Sequence, residues 1–184
     1  MIEVEKKFTP DDNELKLLLD GAESLGDKFV HDVYYDYPDY TLLKKDIRLR
    51  NRNGSFELKI GKSAGVSVEL ENEREIASYF NFAINKDFED FIKKTLVPIM
   101  EYSNNRKKFK KEGFNIDVDD MSFGYKMCEI ELIVENEDEV KEAENKIIEF
   151  VKKFGFENKK ALTKRKAYFK MVKPEVYKEL YGDN

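Results

Sequence analysis

Acidic and basic side chains alternate with apolar ones at the start of the chain, where the sequence after the first methionine reads IEVEKKF. Successive side chains of a β-strand point to opposite faces, so Glu3, Glu5 and Lys7 would share one face, with Ile2 and Val4 on the other. Carboxylates are ligands for a hard divalent cation, and an ammonium binds phosphate oxygens. The pattern favours a site for a metal and a phosphorylated ligand, although a solvated surface strand alternates in the same way.

The same alternation recurs along the chain, with the sign of the charge sorted by segment. Arginines alternate with Ile47 and Leu49, whereas Asp117 and Asp119 form an acidic pair in a later segment. The sequence predicts strands of this kind over residues 47–52, 56–60, 66–75, 106–111, 114–119, 128–132 and 163–171.

Between these strands, apolar residues recur at the helical spacing of three or four. This spacing predicts helices over residues 15–25, 88–96 and 140–154, and a short helix after Pro174. Asn136 is the predicted N-cap of the third helix, and Gly155 follows its end.

The composition is typical of an intracellular globular protein. The 184 residues suit a single domain over residues 1–184, and a net charge of −5 argues against nucleic acid as a partner. Cys128 is the single cysteine, which excludes an intrachain disulfide framework and fits a reducing compartment. The sequence has no apolar run near residue 1 and none of membrane length, so we expect no signal peptide and a cytoplasmic protein. We also expect a monomer, because no interface signal stands out.

Two architectures satisfy this pattern. In the first, an antiparallel sheet packs its apolar face on helices and exposes its charged face to water. In the second, the fold class is α+β with a closed antiparallel β-barrel, which has a charged interior and helices packed outside. Burying charges costs several kcal/mol each unless they are paired or bind a ligand, so the barrel needs an occupant that uses both signs. A polyphosphate with a divalent metal does so, and we predict the barrel.

Several motifs together resemble the CYTH superfamily, also called the triphosphate tunnel metalloenzymes. The segment EVEKK at residues 3–7 matches the ExExK motif of that superfamily. Further matches follow in family order: YYDYP at 34–38, LRNR at 49–52, ELK at 57–59, the basic strand with Arg106, DVD at 117–119, FGY at 123–125, EIE at 129–131 and Lys164. The resemblance spans nearly the whole chain and implies that the barrel is a triphosphate tunnel.

Within the superfamily the chain is most similar to the thiamine triphosphatases of animals, through the YYDYP and FGY segments and the tail KPEVY from residue 173. Two features depart from that branch. No aromatic residue stands near Ile47 and Arg48, where one is expected for the thiazole ring, and the chain has no Trp. Cys128 stands where a glycine is expected. These departures concern the organic end of the substrate, because the phosphate-binding motifs are intact.

The resemblance implies a role for each charged position. The implied triphosphate ligands are Lys7, Arg50, Arg52, Lys59, Arg106 and Lys164. The implied ligands for Mg²⁺, or for Mn²⁺, are Glu3, Glu5, Glu75, Asp117, Glu129 and Glu131, and Asp119 points the same way. Lys59 is also the catalytic candidate, either as the base for the attacking water or as a permanent phosphate clamp.

The implied function is a Mg²⁺-dependent hydrolase that cleaves the terminal phosphoanhydride of thiamine triphosphate, giving thiamine diphosphate and phosphate. Inorganic tripolyphosphate is a second possible substrate, since the motifs recognise the shared phosphate chain. Three further functions are compatible with these residues: a class IV adenylate cyclase, an RNA 5′-triphosphatase, which net acidity and short length disfavour, and a non-catalytic polyphosphate-binding module. Product analysis separates the three enzymes, and binding without turnover would indicate the module.

Overall fold

The structure is a computed structural model that describes residues 2–61, 67–82 and 88–182. The strands are β1 (Ile2–Phe8), β2 (Glu23–Asp36), β3 (Ile47–Arg52), β4 (Ser55–Gly61), β5 (Ser67–Leu70), β6 (Val97–Lys111), β7 (Phe114–Met121) and β8 (Lys126–Val134). The helices are α1 (Asp12–Leu19), α2 (Thr41–Lys44), α3 (Glu73–Tyr79), α4 (Phe88–Thr95), α5 (Val140–Lys152), α6 (Lys164–Val172) and α7 (Pro174–Tyr181). A 3₁₀ turn over Glu137–Glu139 precedes α5, with Asn136 in a capping box.

The strands hydrogen-bond in the order β1-β8-β7-β6-β2-β3-β4-β5. The pairs β1–β8, β8–β7, β7–β6, β2–β3, β3–β4 and β4–β5 are antiparallel, which confirms the α+β class and the antiparallel sheet. The predicted closure into a barrel is wrong for the described residues, because β1 and β5 are the two ends of this order.

The outer edges of the two end strands, β1 and β5, differ. The outer edge of β1 is bonded to a loop: Thr9 N donates to Lys159 O at 2.9 Å, and Ala161 N donates to Lys7 O at 3.0 Å. These bonds cover the C-terminal end of the outer edge of β1. At the other end, β5 has only 4 residues and offers a short edge.

The chain divides into two compact units, which we call unit 1 (residues 1–29 and 104–184) and unit 2 (residues 30–103). In unit 1, α1 and α5 cover the apolar face of β1, β7 and β8. The core residues there include Val4, Phe8, Leu18, Ile116, Cys128, Ile130, Ile147 and Phe150. Because strand side chains alternate, Glu3, Glu5 and Lys7 of β1 lie on the other face, together with Asp117 and Asp119 of β7 and Glu129 and Glu131 of β8. One domain over residues 1–184 stays a prediction.

In unit 2, α3 and α4 cover the apolar face of β3 and β4, with Leu49, Leu58, Ile76 and Ile92 fully buried. The short helix α2 is anchored by the buried carboxylate of Asp36. This carboxylate accepts hydrogen bonds from the backbone N–H groups of Tyr37, Leu42 and Leu43, at 2.6, 2.8 and 2.9 Å. These bonds satisfy donors that a helix N-terminus leaves unpaired, and they hold the turn that leads into β3.

The strand predicted over residues 163–171 is wrong, because Lys164–Val172 form α6. Tyr168 and Phe169 are consecutive and both buried, which suits a helix, whereas a strand buries every second residue. The side chain of Thr163 caps this helix by accepting the Lys166 N–H at 3.3 Å.

The acidic strand predicted over residues 66–75 is also wrong in its second half. Val66 lies outside the described residues, and β5 ends at Leu70. The side chain of Asn72 then accepts the backbone N–H of Arg74 at 2.9 Å and caps α3, which begins at Glu73. A local Asx cap thus replaces the strand, as asparagine at an N-cap favours.

The first helix is shorter than the sequence predicts. It ends at Leu19, since Asp20 is extended and Gly21 has a positive φ of 69°. Leu25, predicted on the helix, is half-exposed in β2. Within the described residues, no helix combines the length and the apolar content that crossing a membrane requires.

Candidate functional site

A row of charged side chains crosses four strands of unit 1. The register places Lys7 opposite Glu129, Glu129 opposite Asp117, and Asp117 opposite Lys108. Residues directly opposite in an antiparallel pair share a face, with Cβ atoms about 4.5–5.5 Å apart. The strand register alone therefore brings together charges that lie far apart in the sequence.

Arg106 makes the largest set of ionic contacts on this face. Its Nε and Nη2 donate to the two carboxylate oxygens of Asp119 at 2.7 and 2.8 Å. Its Nη1 lies 2.5 Å from Asp117 Oδ2, and its Nη2 also donates to Glu129. Asp119, Asp117 and Glu129 are 0%, 1% and 4% exposed. One guanidinium thus contacts three buried carboxylates, and its pair with Asp119 has the bidentate geometry that makes arginine–carboxylate pairs strong.

Two lysines join this cluster. Lys164 Nζ lies 2.7 Å from Asp119 Oδ2 and 3.1 Å from Glu129 Oε2. Lys7 Nζ lies 3.4 Å from Glu129 Oε1 and also contacts Glu5. Glu129 therefore lies among Lys7, Lys164 and the guanidinium of Arg106, which explains how it can be buried without leaving its charge unpaired.

The position of Lys164 depends on a helix rather than on a strand. Lys164 is the first residue of α6, and the Thr163 cap fixes the start of that helix. One residue before the cap, the carbonyl of Leu162 accepts a 3.0 Å hydrogen bond from the hydroxyl of Tyr125. The lysine that the sequence assigns to a last strand thus reaches the same cluster from a helix N-terminus.

Among the described residues of unit 1, two groups of carboxylates are close enough to share a cation, and both include Glu131. Each residue contributes one oxygen, and these oxygens lie within 4.8 Å of one another. The groups are Glu3, Glu5 and Glu131, and Asp117, Glu129 and Glu131. Oxygen donors suit a hard cation such as Mg²⁺ or Mn²⁺.

The hydrogen bonding of Asp117 supports the same interpretation. Its Oδ1 is buried and accepts no hydrogen bond from the described part of the chain, although Lys108 Nζ lies 3.3 Å away. A buried carboxylate oxygen without a donor is unusual in a folded protein, and coordination of a cation would satisfy it. The residues present therefore fit the metal that the sequence predicts.

Crowding of the carboxylates perturbs their protonation. Burial, together with the negative charges of Asp117 and Glu3, raises the pKa of Glu131 to about 7. Burial also acts to raise the pKa of Glu129, but Lys164 and the other cations around it outweigh this effect and leave that pKa below its ordinary value. The metal-free site thus accommodates the negative charge of Glu131 less well than that of Glu129.

We expect the metal-free protein to lose stability as the pH rises from about 5 to about 8, because the folded state binds a proton on Glu131 that the unfolded state has released. The contribution of this proton to the free energy of unfolding is full below the ordinary glutamate pKa and disappears above the raised pKa. Chemical unfolding in a chelating buffer across this range measures how the free energy of unfolding changes with pH. The Glu131→Gln variant should have a flatter profile, and an unchanged slope would contradict the assignment.

In unit 2, the two arginines of the LRNR segment each have a carboxylate partner. Arg50 Nε donates to Glu57 Oε2 at 2.7 Å, and Arg52 Nε and Nη2 donate to the oxygens of Asp32 at 2.7 and 2.8 Å. Arg50 Nη1 also donates to the Tyr34 hydroxyl at 3.1 Å. These contacts follow the register, which places Arg50 between Tyr34 and Glu57. The guanidinium groups are thus held in place on one face.

Lys59 lies on the same face of unit 2. The register places it opposite Arg48 on one side and opposite Glu69 on the other, and its Nζ contacts Glu69 Oε1. Burial acts to raise the pKa of Glu69, but the hydrogen bond and charge of Lys59 outweigh it and lower that pKa. Lys59 is therefore part of an ion pair in the structure.

The residues that the sequence predicts for the site are divided between the units. Unit 1 contains Lys7, Arg106, Lys164, Glu3, Glu5, Asp117, Glu129 and Glu131, and unit 2 contains Arg50, Arg52, Lys59 and Glu75. Glu75 is exposed in the first turn of α3 and belongs to neither carboxylate group found among the described residues. An acidic residue there interacts favourably with the helix dipole, which is sufficient reason for its presence.

Three side chains that complete these clusters have no site role in the sequence analysis. Asp32 and Glu57 are the carboxylate partners of the arginines in unit 2, and Asn104 Nδ2 donates to Asp119 Oδ1 at 2.7 Å in unit 1. Asp32 precedes Tyr34 of the YYDYP segment by two residues and therefore shares its strand face, which is a sequence signal for the first of them. It does not identify partners, because these depend on strand register.

Comparisons with known proteins identify the family of this chain. The family model for the CYTH domain matches residues 1–164. A relative from Homo sapiens, thiamine-triphosphatase, is 27% identical over 209 residues, and the alignment covers 100% of this chain and 91% of the relative.

Solved structures from several organisms have the same fold. A protein from Vibrio parahaemolyticus, described as a candidate adenylate cyclase, has a TM-score of 0.62 at 15% identity, covering 92% of this chain and 98% of that one. The PH1819 protein from Pyrococcus horikoshii has a TM-score of 0.61 at 23% identity, covering 84% and 91%. A candidate adenylyl cyclase from Hippeastrum, described as having a dominant triphosphatase activity, has a TM-score of 0.57 at 20% identity, covering 92% and 95%.

Proposed function

Because the chain belongs to the CYTH domain family, we propose that it is a metal-dependent hydrolase that cleaves the terminal phosphoanhydride of a triphosphate. The observation that carries this proposal is the cluster of buried carboxylates and cations around Arg106 in unit 1. Removing charges of both signs from water costs free energy, and a ligand that uses both signs offsets that cost. A triphosphate with its cation does so, since its oxygens bind the basic groups and the metal binds the acids.

We assign metal binding to the carboxylates of unit 1. The set is Glu3, Glu5, Asp117, Glu129 and Glu131. When bound there, Mg²⁺ or Mn²⁺ would neutralise phosphate charge and make an attacking water more acidic. Glu75, which the sequence adds to this set, is not supported by its place on α3.

Lys7, Arg106 and Lys164 are the proposed phosphate ligands of unit 1. Each is already paired with a carboxylate, so its charged end is held in position before a substrate arrives. An ammonium has three donors and a guanidinium five, so donors remain for phosphate oxygens. Catalysis of phosphoryl transfer depends mainly on such positioning and on charge neutralisation.

Arg50, Arg52 and Lys59 are the proposed phosphate ligands of unit 2. Asp32 and Glu57 orient the two guanidinium groups on one face of β3. That these groups bind the same triphosphate as unit 1 stays a prediction from the family resemblance.

The 27% identical thiamine-triphosphatase of Homo sapiens supports thiamine triphosphate as a substrate. Inorganic tripolyphosphate is the second candidate, because the assigned residues bind a phosphate chain and the chain has no Trp to pack on a thiazole ring. We propose both as candidates for the same hydrolytic reaction.

A Lys59→Arg variant separates the two roles proposed for this lysine. A clamp requires only a cation, so we expect kcat to fall by less than about tenfold, because arginine also binds phosphate well. A base requires an amine that releases its proton, and arginine does not do so, which would abolish turnover. The contact with Glu69 favours the clamp. Steady-state kinetics, with Arg74→Gln on the outside of α3 as the matched control, measure the difference.

Phosphate release with Mg²⁺ from thiamine triphosphate, tripolyphosphate, ATP and GTP tests the proposed function. We expect rapid release from at least one of the first two and little from the nucleotides. Cyclic AMP with pyrophosphate would indicate a cyclase. Tight triphosphate binding without turnover, with either Mg²⁺ or Mn²⁺, would indicate a binding module and contradict the proposal.

A further inference from the structure

Arg48 has no role in the site as assigned so far. It nevertheless lies in unit 2 on the same face of β3 as Arg50 and Arg52. It precedes Arg50 by two residues in β3, so the two side chains point the same way, with α-carbons about 6.6 Å apart along the strand. The register places Arg48 opposite Lys59, just as Arg50 lies opposite Glu57. Arg48 thus extends the row of cations along the strand beyond the proposed phosphate ligands.

The donors of Arg48 are used less than those of its neighbours. The Nε atoms of Arg50 and Arg52 both donate to carboxylates at 2.7 Å. Arg48 Nε is buried and has no acceptor among the residues that the structure describes, and Nη2 lies 3.6 Å from Oδ1 of the exposed carboxylate of Asp46. A buried donor without an acceptor costs free energy, so this position is poised to accept a partner from a ligand.

Lys59, which lies opposite Arg48 on the neighbouring strand β4, adds to the free-energy cost of the unpaired donor. Like charges directly opposite one another in an antiparallel pair are destabilising, and Arg48 faces the ammonium of Lys59. Glu69 offsets the charge of Lys59 on its other side. An anionic group bound next to Arg48 would relieve both the repulsion and the missing hydrogen bond, whereas a cationic group would meet two positive charges.

We propose that Arg48 is a specificity-determining residue, which binds an anionic hydrogen-bond acceptor of the substrate beyond the phosphates held by Arg50. It favours a bare or extended polyphosphate over a substrate whose triphosphate ends in a cationic ring. This inference rests on the proposed function and narrows its substrate class. The thiazolium of thiamine triphosphate is such a cation, so Arg48 separates the two candidate substrates.

The ratio of kcat/KM for tetrapolyphosphate to kcat/KM for thiamine triphosphate tests this role. In Arg48→Gln we expect the ratio to fall by about ten- to a hundredfold, as for the loss of a charged hydrogen bond. Arg48→Lys, which keeps the charge but loses Nε, should give an intermediate ratio. Arg74→Gln removes an exposed arginine of α3 and should leave the ratio unchanged. The ratio does not depend on the fraction of enzyme that is folded, so a merely structural role would not move it.

An unchanged ratio in Arg48→Gln would overturn the inference while leaving the hydrolase intact. If the wild-type protein hydrolyses none of these compounds, the proposed function fails, and binding then tests Arg48 separately. Calorimetric titration of tetrapolyphosphate into the protein in a chelating buffer provides that test. We expect binding to Arg48→Gln to be weaker by about tenfold or more. Equal affinity of wild type and variant would overturn the role of Arg48.

Discussion

Replacing Arg106 by methionine should lower the free energy of unfolding by about 3–5 kcal/mol, the usual cost of removing one partner from a buried ionic cluster. Asp117, Asp119 and Glu129 would each lose a guanidinium contact while staying buried. Lys164 compensates only part of that charge. Denaturant unfolding near neutral pH in a chelating buffer measures the loss.

The matched control is Lys107→Met, one residue further along β6. Lys107 is exposed and lies opposite Val118, on the other side of the strand, so its removal should cost less than about 0.5 kcal/mol. Added Mg²⁺ should return part of the stability lost in Arg106→Met, because a bound cation replaces positive charge beside the carboxylates. Equal losses in the two variants would show that the cluster is not an ionic centre.

Replacing Glu129 by glutamine should reduce kcat/KM by at least about a hundredfold. Mutation of residues that only hydrogen-bond to metal ligands already costs about ten- to a hundredfold, and Glu129 is itself a proposed metal ligand. Glu129 contacts Lys7, Arg106 and Lys164, and it belongs to a carboxylate group of the proposed metal site. The substitution keeps the shape of the side chain but removes a charged ligand. Steady-state kinetics and a Mn²⁺ titration followed by calorimetry measure the two consequences.

Glu142→Gln is the control for this variant, because Glu142 lies on α5 in the same unit and pairs on the surface with Lys146. Its activity and its Mn²⁺ affinity should match those of the wild type. Loss of activity in Glu129→Gln with unchanged Mn²⁺ affinity would remove Glu129 from the metal set. Wild-type values for both properties would contradict its place in the site.

The period-two alternation of charge predicts much of the sheet and its charged face. Glu129 and Glu131 share a face in β8 as expected, and Cys128 lies on the opposite, apolar side. The alternation is reliable there because one face of each strand is packed on helices, and a shift of one residue would bury charges in an apolar core.

Other features depend on information that a local pattern does not contain. Strand register decides which carboxylate meets Arg50 or Arg52, so the alternation alone does not identify Glu57 and Asp32 as partners. The alternation of Ala167 and Phe169 with charges predicts a strand after Lys164, but the same spacing fits the buried side of a short helix. Barrel closure depends on pairing between strand edges, which side-chain alternation does not specify.

The most direct test of the proposed hydrolase is phosphorus NMR of thiamine triphosphate and of tripolyphosphate, each incubated with the purified protein and Mg²⁺. We predict that at least one of them is cleaved to equal amounts of phosphate and the corresponding diphosphate, that a chelator stops the reaction, and that Glu129→Gln is almost inactive. Failure to cleave either compound would contradict the hydrolase. Hydrolysis that persists in the chelator, or that continues at the wild-type rate in Glu129→Gln, would contradict a metal-dependent site at these carboxylates.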